Sequence, residues 1–312
     1  MKPMNILITG SSGQIGTNVG LALLDRGDRV TGLDCRANSW TDRIDTVCAD
    51  LTQAEPGILP IQGSFDIVLH FAAHAKVFEL VEHPERAMEN IRMLFNVLEY
   101  CRRQRVPIIF SSSREVYGDI HRHVTEEAAA DFVVAESPYS ASKIAGEALI
   151  YSYAQCYDLP FLVFRFSNVY GKYDDDIERM ERVIPLFVRR IGGERPIVVY
   201  GKDKVLDFTF VDDCVAGVLA GVDALMERRV VGQTVNLAYG RGNTLVDVVN
   251  IAALALGKEP RVTYEPSRVG EVTRYVADIA KARELLGYDP QVPLSSGLVK
   301  AISWYRSRSA GA

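Results

Sequence analysis

A glycine-rich turn near the start of the chain limits the possible folds more than any other feature of the sequence. Residues 5–9 form a short apolar run, and Gly10, Gly13 and Gly16 then follow in a G-x-x-G-x-x-G pattern that opens into an amphipathic stretch at 14–26. A strand, a tight turn and a helix in this order let the backbone approach a pyrophosphate and direct helix N-terminal amides at its charge. Although glycines serve any tight strand-to-helix turn, this order predicts the first unit of a dinucleotide-binding domain.

Short apolar runs alternate with longer amphipathic stretches over the first half of the chain. The predicted strands cover residues 5–9, 29–33, 66–71, 107–111 and 161–165, and the predicted helices cover 14–26, 84–103 and 140–157. Such alternation is typical of βαβ units, which place consecutive strands in a parallel sheet. We therefore expect an α/β fold with a Rossmann-type doubly wound parallel sheet.

The second part of the chain has a less regular pattern of apolar and amphipathic stretches. After about residue 170, glycine, proline and charged residues interrupt the pattern, and three consecutive aspartates at 174–176 are interpreted as a solvated loop. We expect residues 1–170 to form the NAD-binding domain, with contributions from about 205–240 that include a strand at 235–237 returning to the main sheet. Residues 171–312 are expected to form mainly a smaller C-terminal substrate-binding lobe.

Charge and cysteine content argue against several classes of protein. With 35 basic and 40 acidic side chains and no concentrated lysine and arginine, the chain is not expected to bind nucleic acid. The N-terminal apolar run is too short for a membrane span or a signal peptide, so we expect no membrane contact and a cytoplasmic location. The five cysteines lack a C-x-x-C pair, and His121 and His123 lack further ligand spacing, so reduced thiols and no metal site are expected.

A carboxylate follows the second predicted strand. Asp34 stands at about the twenty-residue distance from the glycine turn where an acidic side chain accepts hydrogen bonds from the adenosine ribose. A carboxylate there repels a 2′-phosphate, so NAD is expected rather than NADP, although the neighbouring Arg36 weakens that preference. Alternatively, Asp34 only caps the following turn.

Tyr139 and Lys143 form a Y-x-x-x-K pattern at the start of a predicted helix. This spacing puts the phenol and the ammonium on one helix face, where the cation is expected to stabilise the phenolate and move its pKa toward neutrality. A core tyrosine with a lysine at its rim would give the same pattern. Upstream, the polar stretch 111–118 ends a predicted parallel strand, at the edge where ligands bind in open α/β sheets.

Seven segments occur in a characteristic order along the chain. They are TGSSGQIG, LHFAAHAKV, SSSREVYGD, PYSASKIAGE, RFSNVYG, DFTFVDDCVAG and EVTRYVADIAKARELLGY. Together they resemble the extended short-chain dehydrogenase/reductase family of NAD-dependent nucleotide-sugar epimerases and dehydratases. The resemblance covers roughly residues 4–305.

The resemblance implies a role for each matching residue. Ser113 would hydrogen-bond the sugar oxygen, with Ser112 as its rival, while Tyr139 would act as the base and Lys143 would tune it and hold the nicotinamide ribose. The residues implied in NAD binding are Gly10, Gly13, Gln14, Ile15, Gly16, Asp34, Asp50, Leu51, Ala72, Ala73, Asn90, Tyr139 and Lys143. The residues implied in binding a nucleotide-sugar substrate are Ser113, Arg114, Asn168, Lys204 and Arg268.

The chain departs from the family pattern at one position that bears on the substrate. Arg268 matches a family arginine that clamps the nucleotide diphosphate, a task suited to a planar guanidinium. A second family arginine commonly precedes the D-F pair, but this chain has Leu206 there. The second diphosphate contact is therefore missing, or Lys202 or Lys204 supplies it.

The family resemblance leaves more than one reaction open. Epimerisation through a 4-keto sugar needs only the serine, the tyrosine and the lysine, and it is the favoured reading. A 4,6-dehydratase typically carries T-D-E where this chain has Ser113, Arg114 and Glu115, so the expected acid is absent. Glu115 could still act in a dehydratase or in a decarboxylase of nucleotide-linked uronates, where Arg114 could bind a sugar carboxylate.

Two alternative functions and a dimeric assembly also follow as hypotheses from the sequence. A non-catalytic nucleotide-sugar sensor would have little need for all three of Ser113, Tyr139 and Lys143. A reductase of small carbonyl compounds would not explain Asp34 together with Arg268. By resemblance, the helices predicted at 84–103 and 140–157 are expected to pair two copies of the chain into a homodimer.

Overall fold

The computed structural model describes residues 2–118, 135–268 and 270–309, with strands and helices alternating through the first half of the chain. The elements of the first half are β1 (Asn5–Thr9), α1 (Gln14–Arg26), β2 (Arg29–Asp34), β3 (Asp45–Cys48), β4 (Ile67–His70), α2 (Val77–Glu82), α3 (Glu85–Gln104), β5 (Ile108–Ser113), a 3-10 helix (Arg114–Tyr117), α4 (Pro138–Tyr157), β6 (Phe161–Phe166) and β7 (Asn168–Tyr170). The elements that follow are α5 (Ile177–Met180), α6 (Val183–Gly192), β8 (Ile197–Tyr200), β9 (Val205–Phe210), α7 (Val211–Met226), β10 (Gln233–Leu237), β11 (Gly242–Thr244), α8 (Leu245–Leu256), β12 (Val262–Glu265), β13 (Arg274–Tyr275), α9 (Ala280–Leu286) and α10 (Leu294–Ser309).

The main sheet has seven parallel strands in the order β10-β6-β5-β4-β1-β2-β3. The chain winds from β1 outward through β2 to β3 and then returns to the other side of β1 with β4. At such a reversal of strand order, the loops at the carboxyl ends of two adjacent strands diverge and leave a crevice. The predicted α/β fold with a Rossmann-type doubly wound sheet is therefore confirmed, as is the return of residues 235–237 to the sheet in β10.

Helices cover both faces of this sheet because its central strands are apolar on both sides. In β1, Ile6 and Ile8 belong to one core, which also holds Val19 of α1 and Val222 of α7. Leu7, which points to the opposite face, belongs to a second core built with residues of α3 and α4. Burial on both faces explains why these strands read as unbroken apolar runs.

One missed strand and one helix start differ from the sequence prediction for identifiable reasons. The strand β3 was not predicted, because its four residues are short, partly exposed and lie at the edge of the sheet. The helix α4 begins at Pro138 and not at residue 140, because Ser137 and Ser140 form a reciprocal capping box and Pro138 occupies the first turn.

A second group of elements packs around its own apolar core. Strands β7, β9, β11 and β13 form one small sheet, β8 and β12 form another, and α6, α8 and α10 pack with them. The helix α7 and strand β10, from the expected 205–240 contribution, belong to the main sheet and its core. The division of the chain near residue 170 into two functional domains stays a prediction.

The described residues contain neither a membrane-spanning helix nor a metal-binding cluster. No helix among them is long and apolar enough to cross a membrane. They also contain no group of three or more His, Cys, Asp or Glu side chains arranged to hold a metal ion. His121 and His123 lie outside the described residues.

Candidate active site

A cleft of about 650 Å³ lies at the carboxyl ends of the central strands, between the main sheet and the second group of elements. The sequence-predicted residues that line it are Gly10, Gly13, Gln14, Ile15, Gly16, Asp34, Asp50, Leu51, Ala72, Ala73, Ser113, Arg114, Glu115, Tyr139, Lys143, Asn168 and Arg268. Two predicted residues, Asn90 and Lys204, are not part of the lining.

The glycine turn forms one end of the cleft and has no room for side chains. Gly10 has a φ of +75°, and a Cβ there would lie 2.6 Å from the backbone nitrogen of Ala72. A Cβ on Gly16 would lie 2.2 Å from the carbonyl oxygen of Gly10. The backbone is thus bare where α1 begins, which fits the pyrophosphate of NAD at a helix N-terminus.

Asp34 ends β2 beside this turn and is held in place by backbone amides. Its carboxylate accepts hydrogen bonds from the Ser12 nitrogen at 3.0 Å and from the Arg36 nitrogen at 3.1 Å. The side chain therefore does cap its local turn, but it also lines the cleft. An ionised carboxylate in this position suits ribose hydroxyls and opposes a 2′-phosphate, and the guanidinium of Arg36 stays 3.9 Å from it.

Two other predicted cofactor residues act through local structure. Asp50 accepts hydrogen bonds from the nitrogen and the hydroxyl of Thr52, both at 2.8 Å, and so fixes the loop that brings Leu51 to the cleft. Asn90 accepts from the His74 nitrogen at 2.7 Å and donates to the Ser142 hydroxyl at 3.3 Å. Asn90 therefore fastens the segment after β4 to α4 and does not face the cleft itself.

Tyr139 and Lys143 project from the first turns of α4, and both are buried. The Lys143 ammonium donates a 2.8 Å hydrogen bond to the carbonyl oxygen of Ser111 and lies 5.7 Å from the centre of the Tyr139 ring. Burial raises the pKa of Tyr139 to about 12, while a hydrogen bond with Ser113 lowers it. Burial also lowers the pKa of Lys143 to about 8, against the charge of Glu147. The expected phenol pKa near neutrality is not met, because burial outweighs the neighbouring cations.

The two candidate serines differ in their partners. The Ser112 hydroxyl donates a 2.5 Å hydrogen bond to Glu147, which also forms a buried two-bond ion pair with Arg165. Ser113 accepts a bond from the Glu115 nitrogen at 3.2 Å and has its side chain beside that of Tyr139. The geometry therefore favours Ser113 over Ser112 as the hydroxyl that meets a substrate.

Arg114 and Glu115 form an ion pair of 2.9 Å in the wall of the cleft. Burial raises the pKa of Glu115, and the charge of Arg114 opposes that rise. The Arg114 guanidinium lies 5.8 Å from the centre of the Tyr275 ring. Each of the two charged groups thus has a partner within the protein.

The predicted substrate residues of the second group of elements divide into two sets. Asn168 and Arg268 line the cleft. Asn168 donates a 2.9 Å hydrogen bond to the carbonyl oxygen of Asp207, and the Arg268 guanidinium lies 4.1 Å from the centre of the Tyr200 ring. Lys204 is buried and forms an ion pair of 2.5 Å with Glu271. Glu271 itself lines the cleft, so Lys204 reaches the cleft wall only through this partner, and its suggested substitution for the missing arginine stays a prediction.

Asp174 and Arg182 are among the charged residues of the cleft that the sequence prediction missed. Asp174 is 4% exposed and accepts hydrogen bonds from the Gly171 nitrogen at 3.1 Å and from the Tyr305 hydroxyl at 2.6 Å. Its interpretation as part of a solvated loop is thus wrong, because α10 packs over it. No local spacing pattern identified either residue, since each reaches the cleft through contacts between distant parts of the chain.

Comparisons with known proteins agree with this geometry. The sequence model of the NAD dependent epimerase/dehydratase family matches residues 6–238. The chain is 32% identical over 336 residues to UDP-glucuronate 4-epimerase 1 of Arabidopsis thaliana, with 97% of this chain and 77% of that protein covered.

Solved structures of similar proteins have the same fold. A UDP-glucose 4-epimerase from Thermotoga maritima, crystallised with UDP-glucose, superposes with a TM-score of 0.87 at 27% identity, covering 98% of this chain and 100% of that one. A UDP-glucuronic acid 4-epimerase from Bacillus cereus, in complex with UDP-glucuronic acid and NAD, gives a TM-score of 0.87 at 25% identity with the same coverage.

Proposed function

The chain belongs to the NAD dependent epimerase/dehydratase family, and we propose that it is a nucleotide-sugar 4-epimerase. NAD is its cofactor, as in the family. The observation that carries the proposal is that Ser113, Tyr139 and Lys143 meet in one cleft whose other end is formed by the glycine turn and Asp34.

Tyr139 performs both proton transfers of the proposed reaction. Ser113 holds the sugar oxygen beside the phenol, and its hydrogen bond lowers the pKa of Tyr139 against the effect of burial. Ser111 fixes the ammonium of Lys143 at 5.7 Å from the centre of the Tyr139 ring. NAD, which the glycine turn and Asp34 would hold, would supply the acceptor for a sugar hydride and the donor for its return. The Tyr139 oxygen takes the hydroxyl proton as the sugar becomes a 4-keto sugar, and it gives the proton back after the keto sugar has turned over. Since one oxygen handles the proton in both directions, no second acid or base is needed.

The pair of Arg114 and Glu115 favours epimerisation over dehydration or decarboxylation. Dehydration would need an acid to protonate the leaving hydroxyl, and position 114 carries a permanently charged arginine. The carboxylate of Glu115 is paired with that guanidinium at 2.9 Å, so one of its oxygens is already engaged within the protein.

The proposed substrate is a nucleoside diphosphate sugar with UDP as the first candidate. Arg268 lines the cleft with a planar guanidinium, which suits a diphosphate. The similar solved proteins are described with UDP-glucose and with UDP-glucuronic acid, so a UDP-linked hexose and a UDP-linked hexuronate are the two sugars to test first.

Incubation with a panel of UDP-, dTDP-, GDP- and CDP-sugars, followed by mass spectrometry and NMR, tests this function. An epimerase conserves the mass of the substrate and inverts one sugar carbon. Loss of water would identify a dehydratase, and loss of carbon dioxide would identify a decarboxylase. Binding without conversion would identify a sensor, and Tyr139→Phe serves as the inactive reference.

We also propose that two copies of the chain pair through α3 and α4. These helices pack against each other and leave large apolar side chains exposed, namely Met88, Phe95, Tyr151 and Tyr157. Sedimentation of Phe95→Glu and Tyr151→Glu should show a monomer where the wild type is a dimer. A wild type that sediments as a monomer would contradict the pairing.

The five free thiols support a cytoplasmic location.

A further inference from the structure

The position that usually supplies a second diphosphate arginine cannot do so in this chain. Leu206 occupies it and packs in the apolar core of the second group of elements. Lys204 is not part of the cleft lining, and its ammonium is already paired with Glu271, which is. Strand β9 thus supplies no second arginine that could bind the diphosphate of a nucleotide sugar together with Arg268.

Among the described residues, four arginines line the cleft. Arg36 lies beside Asp34 at the adenosine end, Arg114 is paired with Glu115, and Arg268 stacks on Tyr200. The fourth is Arg182, which stands immediately before α6. Its side chain is half-buried, and its guanidinium contacts the amide oxygen of Gln14 in the first turn of α1.

The position of Arg182 spans the two functional parts of the cleft. Through Gln14 it touches the glycine turn, where a pyrophosphate fits. Its charge also lowers the pKa of Tyr139 and of Asp174, so its field reaches the catalytic phenol. A guanidinium between these points is placed for an anion that runs from the glycine turn toward the sugar site.

We propose that Arg182 is the second diphosphate clamp of this chain and takes the role that Leu206 cannot fill. The inference rests on the proposed function, which brings two diphosphates into the cleft, one in NAD and one in the nucleotide sugar. A planar guanidinium forms two parallel hydrogen bonds to a phosphate, which a lysine cannot reproduce. Arg182 and Arg268 both line the cleft and reach it from separate segments of the chain.

Binding measurements on the full chain separate the two sources of diphosphate. Isothermal titration with UDP and with uridine, and with NAD on protein freed of cofactor, is carried out on wild type, Arg182→Ala, Arg182→Lys and Arg190→Ala. Arg190 is the matched control, because it lies exposed on α6, the helix that follows Arg182, and donates a hydrogen bond to the carbonyl oxygen of Pro196.

Arg182→Ala should weaken UDP binding by roughly 10- to 100-fold, as expected for a lost charge-assisted contact, and leave uridine and NAD binding unchanged. Weaker NAD with unchanged UDP would place Arg182 at the cofactor's diphosphate and overturn its role as a substitute for the arginine missing at position 206. Arg182→Lys should recover only part of the affinity. If both ligands bind Arg182→Ala as tightly as they bind Arg190→Ala, the clamp is wrong.

This result is independent of turnover. If the sugar panel shows no conversion while UDP affinity still depends on Arg182, the clamp stands and the epimerase proposal fails. If conversion occurs and Arg182→Ala binds both ligands normally, the epimerase proposal stands and the clamp fails.

Discussion

The hydroxyl of Ser112 is bound to the carboxylate of Glu147 at 2.5 Å, in the interior between β5 and α4. Glu147 also holds the guanidinium of Arg165 on β6 through bonds of 2.9 and 2.7 Å. Ser112 of the consecutive pair thus completes a buried polar network, whereas Ser113 lies beside Tyr139. The network fixes the strand end that presents Ser113, the hydroxyl that we propose meets the substrate.

Substitutions of the two serines should therefore separate catalysis from stability. Ser113→Ala should lower kcat by roughly 10²- to 10³-fold, because a positioned hydrogen bond to the reacting oxygen is lost. Ser112→Ala should leave kcat within a few-fold and lower the free energy of unfolding by about 1–3 kcal/mol, because Glu147 loses a buried partner. Turnover by NMR and urea unfolding of both variants measure this, and the reverse pattern would assign the catalytic role to Ser112.

The ion pair of Glu147 and Arg165 should matter for stability far more than surface pairs do. Its side chains are 9% and 7% exposed, so removing Glu147 leaves a charge without its partner in the interior. Glu147→Ala should lower the free energy of unfolding by about 3–5 kcal/mol. Asp25→Ala, which breaks an exposed pair with Arg43, is the control and should leave unfolding unchanged. Equal urea midpoints for the two variants would contradict the buried pair's role.

Sequence alone predicted the parts of the site that depend on local order. The glycine turn, Asp34 and the Tyr139–Lys143 spacing are each set within one βα unit or one helix turn, so reading along the chain finds them. The apolar strands of the main sheet were predicted for the same reason. The short edge strand β3 was missed, because its partly exposed residues carry no continuous apolar signal.

Contacts between distant segments explain what sequence could not supply. The choice of Ser113 over Ser112 depends on Glu147, which is 35 residues away from Ser112. The burial of Asp174 depends on Tyr305 in α10, 131 residues away. The phenol pKa depends on how deeply the site is buried, which spacing along a helix does not reveal.

Asp34 should determine the choice between NAD and NADP. Asp34→Asn removes the negative charge, so NAD affinity should fall roughly tenfold while NADP affinity rises, because the carboxylate no longer binds ribose hydroxyls as an anion or repels a 2′-phosphate. Arg36, already 3.9 Å from the carboxylate, is placed to meet the added phosphate. Titration with both cofactors measures the ratio. The exposed Asp45→Asn is the control, and an equal ratio in both variants would rule out this role.

The buried carboxyl of Asp174 should make stability depend on pH in a defined window. Burial raises its pKa from 3.8 to about 6, so the folded protein holds this proton more tightly than the unfolded chain does. The stabilisation is complete below the unfolded pKa and is lost as pH rises through about 6. Asp174→Asn carries no charge at any pH, and its amide can still accept from the Gly171 nitrogen and donate to the Tyr305 oxygen. The Tm of the variant minus that of the wild type should therefore grow more positive from about pH 4 to about pH 7. Thermal melts over this range measure the difference, with the exposed Asp203→Asn as the flat control. A difference for Asp174→Asn that is also flat, or that falls with pH, would show that the carboxyl is already ionised in the folded protein at low pH, as strong pairing with Arg182 would cause.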